Sequence, residues 1–301
     1  MLNTLKINAQ KSDIMKIDAQ NRDDALKTEY DREKRKIIPW FLPLAPLITY
    51  KGLENVIEDK PSIIIANHPG VSKDVAALLM AYDRQIYFTA SDFLFDKESL
   101  VDKSKNKYPK LYRSFTRIAD YMCGFVSDRV HKYEMIPVGW EYTGDLKGMT
   151  GPLRKSTDKV KDYLKDGRTV VLFQLRTDII KQPNHDSKGC HKYSEYHSYL
   201  PRFHNTVPRI AYELYLEGYS IPITTVAIHG SEGLNPLKPM IVSIGEPLHI
   251  EEMIKSINPA NPITSSSNPI VDAKNILEQR VAQQLVDAGI PRNINTRNIY
   301  K

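Results

Sequence analysis

His68 and Asp74 are the residues of this chain best suited, by type and spacing, to carry out chemistry. The sequence around them reads Ile63-Ile64-Ile65-Ala66-Asn67-His68-Pro69-Gly70-Val71-Ser72-Lys73-Asp74-Val75-Ala76-Ala77-Leu78-Leu79. An apolar run of buried-strand type ends at Ala66, and Asn67-His68 follows at its carboxyl end. Ligands of open α/β sheets collect at that edge. Pro69-Gly70 turns the chain, Ser72 suits a helix N-cap, and Asp74 falls in the first helical turn, where a carboxylate is favoured. A histidine facing an aspartate across such a turn can serve as a general base. The carboxylate fixes the tautomer and stabilises the imidazolium as the ring takes a proton. The plainer reading is that Asp74 stabilises the helix start and His68 is a turn residue.

Other chemistry-bearing residues form weaker patterns. His185, Cys190, His191 and His197 fall between Ile179 and Pro201, with His204 just beyond. Their spacings match no standard zinc site, so no metal is expected. The length of this stretch, with Tyr193, Tyr196 and Tyr199, suggests a loop covering a substrate. His229 follows an apolar strand and reads as a structural histidine. There is no P-loop and no Gly-x-Gly-x-x-Gly, so nucleotide-driven chemistry and a dinucleotide cofactor are not expected. Two cysteines, Cys123 and Cys190, make no disulfide framework and read as reduced thiols of a cytosolic protein.

Short apolar runs alternating with helical patterns would position the pair. Strands are expected at Ser62–Ala66, Gln85–Ala90, Met135–Val138, Arg168–Phe173, Ile221–Ile228 and Met240–Ile244. Helices are expected over Val75–Tyr82, around Val160, Tyr163 and Leu164, and along the stripe Val207, Ile210, Ala211 and Leu214. A last helix follows Ala273, Leu277, Val281 and Leu285 and is ended by Gly289 and Pro291. The alternation indicates an α/β protein with a mixed, largely parallel sheet flanked by helices. Residues 1–46 read as a polar extension with an apolar segment, 47–257 as the α/β domain, and 258–301 as a linker and a helix docked on that domain.

Composition sets the outer bounds. Hydrophobic residues at 41% and charged residues at 26% allow a real core and exclude wholesale disorder. A net charge of +6 favours anionic partners, but no dense basic stripe with interleaved aromatics points to nucleic acid. No secretory signal pattern opens the sequence. The apolar stretch Ile37–Tyr50 is shorter than the ~20 residues of a spanning helix and is broken by three prolines. It follows Arg32, Lys34, Arg35 and Lys36, which together with Trp40 and Phe41 suits contact with a membrane surface; packing on the domain is the alternative.

Taken together, several blocks resemble the glycerolipid acyltransferase family, which includes bacterial lysophosphatidic acid acyltransferase. They are Gly52-Leu53-Glu54-Asn55, the strand leading to Asn67-His68, Met135-Ile136-Pro137-Val138-Gly139, Phe173-Gln174-Leu175-Arg176-Thr177-Asp178, Ile221–Ile228 and Ile244-Gly245-Glu246-Pro247-Leu248. The resemblance runs from about Leu47 to about Glu252. It implies the family fold. It also implies transfer of a fatty acyl group from acyl-CoA or an acylated carrier protein, as co-substrate, to a hydroxyl of a glycerol-phosphate or lysophospholipid acceptor, with no cofactor and no metal. His68 would be the base and Asp74 its orienting partner. Asn67, Arg176 and Thr177 would contact substrate, Arg176 as a phosphate ligand. The protein would act peripherally, at the cytoplasmic face of a membrane.

Three departures from the family pattern stand out. Five residues separate His68 from Asp74 where the family has four, and Lys73 holds the strict position. A one-residue insertion is the favoured alignment, since a lysine cannot accept the imidazole proton. The third block lacks its Pro, Glu and Gly, with Leu175 where the Glu belongs. The Arg expected after the middle block is absent, with Trp140 and Glu141 nearby. These changes touch acceptor binding more than the base. The alternatives are a lipid-binding protein that kept the fold and lost catalysis, and an acyltransferase with a non-phosphate acceptor.

Overall fold

The computed structural model describes residues 42–69, 72–107, 116–138, 150–173, 194, 196–197, 200, 203–231, 238–256 and 268–292. Seven strands form one sheet: β1 Ile48–Lys51, β2 Ile63–Ala66, β3 Ile86–Ser91, β4 Ile136–Val138, β5 Thr169–Phe173, β6 Ile223–His229 and β7 Met240–Ile244. Their order is β1-β7-β6-β2-β5-β3-β4. Every neighbouring pair is parallel except β6 and β7. The fold is thus α/β with a mixed, mostly parallel sheet, as the strand and helix alternation implies.

The centre of the sheet explains its sequence. β2 lies between β5 and β6 and is buried at all four residues, so it shows no polar alternation. Ile63 and Ile65 face one core while Ile64 and Ala66 face the other. Four helices fill the Ile63 side: α4 Thr150–Lys165, α5 Thr206–Leu216, α6 Ile250–Ser256 and α7 Pro269–Asp287. Helix α1, Ser72–Ala81, packs Ala77, Leu78 and Leu79 on the Ile64 side. Two further helices, α2 Lys97–Lys107 and α3 Thr116–Lys132, lie between β3 and β4 in the chain.

Helix α7 packs across β6 with Ala273, Leu277, Val281 and Leu285 buried. Asn268 caps it by accepting from the Ile270 N–H at 3.1 Å, and Pro269 fills the first turn. Gln284 donates to the Thr225 and Ser243 carbonyls, both at 3.1 Å, and so ties α7 to both antiparallel strands. Glu278 accepts the Phe203 N–H at 2.9 Å and holds the approach to α5.

The Gly-Leu-Glu-Asn element lies on the outer strand pair β1 and β7, with β6 between that pair and β2. Gly52 adopts φ 74°, and a Cβ there would stand 2.0 Å from the Ile244 carbonyl oxygen. Asn55 donates its amide to that same oxygen at 3.0 Å. The element is a clasp between β1 and β7.

Strand boundaries fall within two residues of the sequence-based expectation. Elements absent from that expectation are β1, α2, α3 and α6. β1 is a short edge strand with Thr49 and Lys51 exposed, so half of it is polar. Most of the polar extension, the Gly139-Trp140-Glu141 stretch, residues 174–178 of the third block and most of the 258–269 linker lie outside the described residues. No helix among the described residues is long and apolar enough to cross a membrane.

Candidate active site

The site begins where β2 runs out. The side chain of Asn67 replaces the next rung of the ladder to β6. Its amide nitrogen donates to the Ile228 carbonyl at 2.8 Å, and its oxygen accepts the Ile228 N–H at 2.6 Å. Asn67 is buried, and this clamp fixes where the chain leaves the sheet. Both ends of the Asn67 amide are thus engaged by backbone, which fixes the chain just ahead of His68.

His68 follows and meets Asp74. Its Nδ1 lies 2.8 Å from Asp74 Oδ2. The Asp74 side chain has no exposure, while that of His68 keeps 17%. Asp74 stands in the first turn of α1, and Ala77 and Leu78 share its inward face at helical spacing. The helix dipole favours the carboxylate there. Lys73 precedes it and lies about 100° away around the helix. The residue that reaches the imidazole is therefore Asp74, at the longer spacing. Tyr50 on β1 supports this helix by donating its hydroxyl to the Ala77 carbonyl at 2.9 Å; burial pushes its pKa up to about 12.

A third residue completes the arrangement. Phe173, the last residue of β5, is the register partner of Ala66. Its ring stacks on the His68 imidazole, with centroids 4.3 Å apart and planes within 23°. Phe88 of β3 stacks in turn on Phe173 at 5.8 Å and 14°. Three adjacent strands thus present an aromatic row ending on the imidazole, which fixes the ring plane and covers one face. The sequence places Phe173 at a strand end, but only the sheet order brings that strand beside β2.

The chemistry of the pair follows from donor and acceptor types. An ionised carboxylate can only accept, so the proton between the two residues belongs to His68 Nδ1. Nε2 then keeps its lone pair. A neutral imidazole with an anion at its back is a general base for a group approaching Nε2.

The remaining candidates divide. Arg176 and Thr177 lie outside the described residues, as do His185, Cys190 and His191. His197 is fully buried, with Nε2 3.3 Å from the Ile290 carbonyl oxygen beyond α7. Burial holds its pKa below the ordinary 6.5. It anchors the end of the long insertion to the C-terminal helix. Among the described residues no group of three His, Cys, Asp or Glu could hold a metal ion.

No family model matches the chain, and no curated protein matches it. Six chains among solved structures match. One is the 1-acyl-sn-glycerophosphate (LPA) acyltransferase PlsC from Thermotoga maritima. It is 16% identical, with 84% of this chain and 79% of that chain covered and a TM-score of 0.43.

Proposed function

We propose that this chain is an acyltransferase that moves a fatty acyl group from a thioester to a hydroxyl-bearing acceptor. The supporting observation is the 2.8 Å contact of His68 Nδ1 with the fully buried Asp74, at the carboxyl end of the central strand. His68 Nε2 takes the proton of the acceptor hydroxyl as its oxygen attacks the thioester carbonyl carbon. The tetrahedral centre collapses, the C–S bond breaks, and the thiolate leaves with the proton that Nε2 gained. A thioester already holds a good leaving group, so one base and correct positioning suffice. Asp74 stabilises the imidazolium between the two proton transfers. Phe173 keeps the imidazole plane fixed while the proton moves.

The resemblance in sequence suggests acyl-CoA or an acylated carrier protein as donor and a glycerol-phosphate or lysophospholipid as acceptor. Arg176 would contact the acceptor phosphate, with Thr177 beside it. Such acceptors are amphiphiles, which favours work at the cytoplasmic face of a membrane. Leu175, standing where the family has a Glu, favours an acceptor held through fewer hydrogen bonds than usual. The His68–Asp74 contact speaks against a fold that has lost its catalysis, since a retired site has no need of a buried carboxylate aimed at an imidazole.

The test is release of free thiol from each donor against a panel of glycerol-phosphate, lysophospholipid and non-phosphorylated acceptors. Acceptor-dependent release supports the reading, and the acceptor that gives it names the substrate. Lipid binding by folded protein without release from either donor would favour the lipid-binding alternative.

A further inference from the structure

Helix α3 faces the wrong way for a core helix. Cys123, Ser127 and Val130 are its buried residues. They look toward α2 and the chain just after β3. Gly124 leaves room for the Lys97 side chain, which would pass 3.5 Å from a Cβ at that position. Ser127 donates to the Phe95 carbonyl at 3.1 Å, and His131 donates to the same oxygen at 2.9 Å. The large apolar residues lie on the opposite side. Ile118 is 61% exposed, Tyr121 71%, Met122 50% and Phe125 41%. Their spacing of three and four residues makes one stripe about 10 Å long. Arg129 continues the stripe, with its guanidinium 4.9 Å above the Phe125 ring.

The two helices are net basic: α2 and α3 together carry seven Lys and Arg against four Asp and Glu, a net +3. A second copy of the chain would bring the same charge against itself. Residues 1 to 41 are also net positive, with nine basic against seven acidic. An occupant of this face must be apolar at contact and anionic around it. Nucleic acid satisfies only the second condition. The surface of an anionic bilayer satisfies both: the acyl boundary accepts Ile, Met and Phe, Tyr suits the headgroup level, and Arg reaches phosphate beside its own aromatic ring.

We infer that the outward stripe Ile118, Tyr121, Met122 and Phe125 of α3, framed by the basic charge of α2 and α3, docks this protein on an anionic membrane surface. The helix pair springs from the carboxyl end of β3, which runs parallel to β5 and β2. It is therefore rooted on the sheet edge that carries His68. This surface differs from the apolar stretch Ile37–Tyr50 that the sequence suggests for membrane contact. It stands independently of the acyl-transfer reading.

Co-sedimentation of the full chain with vesicles tests it. Three-to-one phosphatidylcholine–phosphatidylglycerol vesicles are compared with pure phosphatidylcholine, for wild type and for the triple variant Ile118→Gln, Met122→Gln, Phe125→Gln. Circular dichroism and melting temperature control for folding, and these exposed positions tolerate Gln, a good helix former. The expected result is binding to the anionic vesicles, weakened by salt and at least about tenfold lower in the triple variant. His68→Ala should bind like wild type, so a failure of catalysis and a failure of docking are told apart. Absence of wild-type binding at low salt would overturn the inference, as would undiminished binding by the folded triple variant. A wild-type dimer dissociated by the triple substitution would assign the face to self-association and also overturn it.

Discussion

Phe173 lies against the imidazole of His68, ring over ring at 4.3 Å, because β5 and β2 run side by side and Ala66 pairs with Phe173. A base whose ring plane is fixed by packing and whose Nδ1 is fixed by a carboxylate has little rotamer freedom left. Phe173→Ala removes the packing and leaves the carboxylate. It should lower kcat about tenfold or more through loss of positioning. It should also cost about 2 kcal/mol of stability, since the ring also packs against Phe88. Phe173→Tyr, which keeps the stack, should restore most of both, as read by kinetics and urea melts.

Asp74→Asn replaces the acceptor at His68 Nδ1 with an amide that can donate instead. The tautomer with its lone pair at Nε2 loses its support, so kcat should fall ~10²–10⁴-fold with a smaller change in KM. Steady-state kinetics and a circular dichroism spectrum distinguish this from unfolding. A kcat within twofold of wild type would show that the contact has no catalytic role.

Asn67 reaches Ile228 across 161 positions of sequence. Asn67→Ala leaves both backbone groups of Ile228 without their present partners. The expected cost is about 1–3 kcal/mol of stability. Activity should fall too, since β2 and β6 would no longer be clasped just ahead of His68. Gly52→Ala offers the contrast. It forces a Cβ onto the Ile244 carbonyl at a positive φ, yet on the outer pair β1 and β7, which β6 separates from β2. Its melting temperature should drop while kcat of the folded fraction is unchanged.

The position of His197 gives a pH dependence. Burial lowers its folded-state pKa below the ordinary 6.5, so the unfolded chain binds the extra proton first. Stability from this group is fully present above about 6.5 and is lost as pH falls from there through the depressed folded value. His197→Gln should flatten that part of the stability profile, measured as melting temperature between neutral and mildly acidic pH, even if it lowers stability overall.

What could be read from the sequence depended on how locally each feature is encoded. His68 and Asp74 are six positions apart, with a turn and a helix start between them, so their meeting was legible. β2 and β5 were legible as apolar runs and β6 as one interrupted by Thr224 and Thr225, because both faces of each are covered. The roles of Asn67 and Phe173 were not, since each depends on which strand lies beside β2, and chain order does not state that. α3 escaped the expected pattern because half of its apolar residues point outward, so its periodicity marks a surface rather than a core. β1 escaped because a four-residue edge strand with two exposed polar positions resembles a loop.

His68 is proposed here as the base of an acyl transfer. The most direct measurement is thiol release from long-chain acyl-CoA, and from an acylated carrier protein, with lysophosphatidic acid and glycerol 3-phosphate as acceptors, for wild type and His68→Gln. Wild type should show acceptor-dependent release, and His68→Gln a fall of about a thousandfold or more at unchanged melting temperature. Acceptor-dependent release that survives in His68→Gln, or its absence in wild type with both donors, would contradict it.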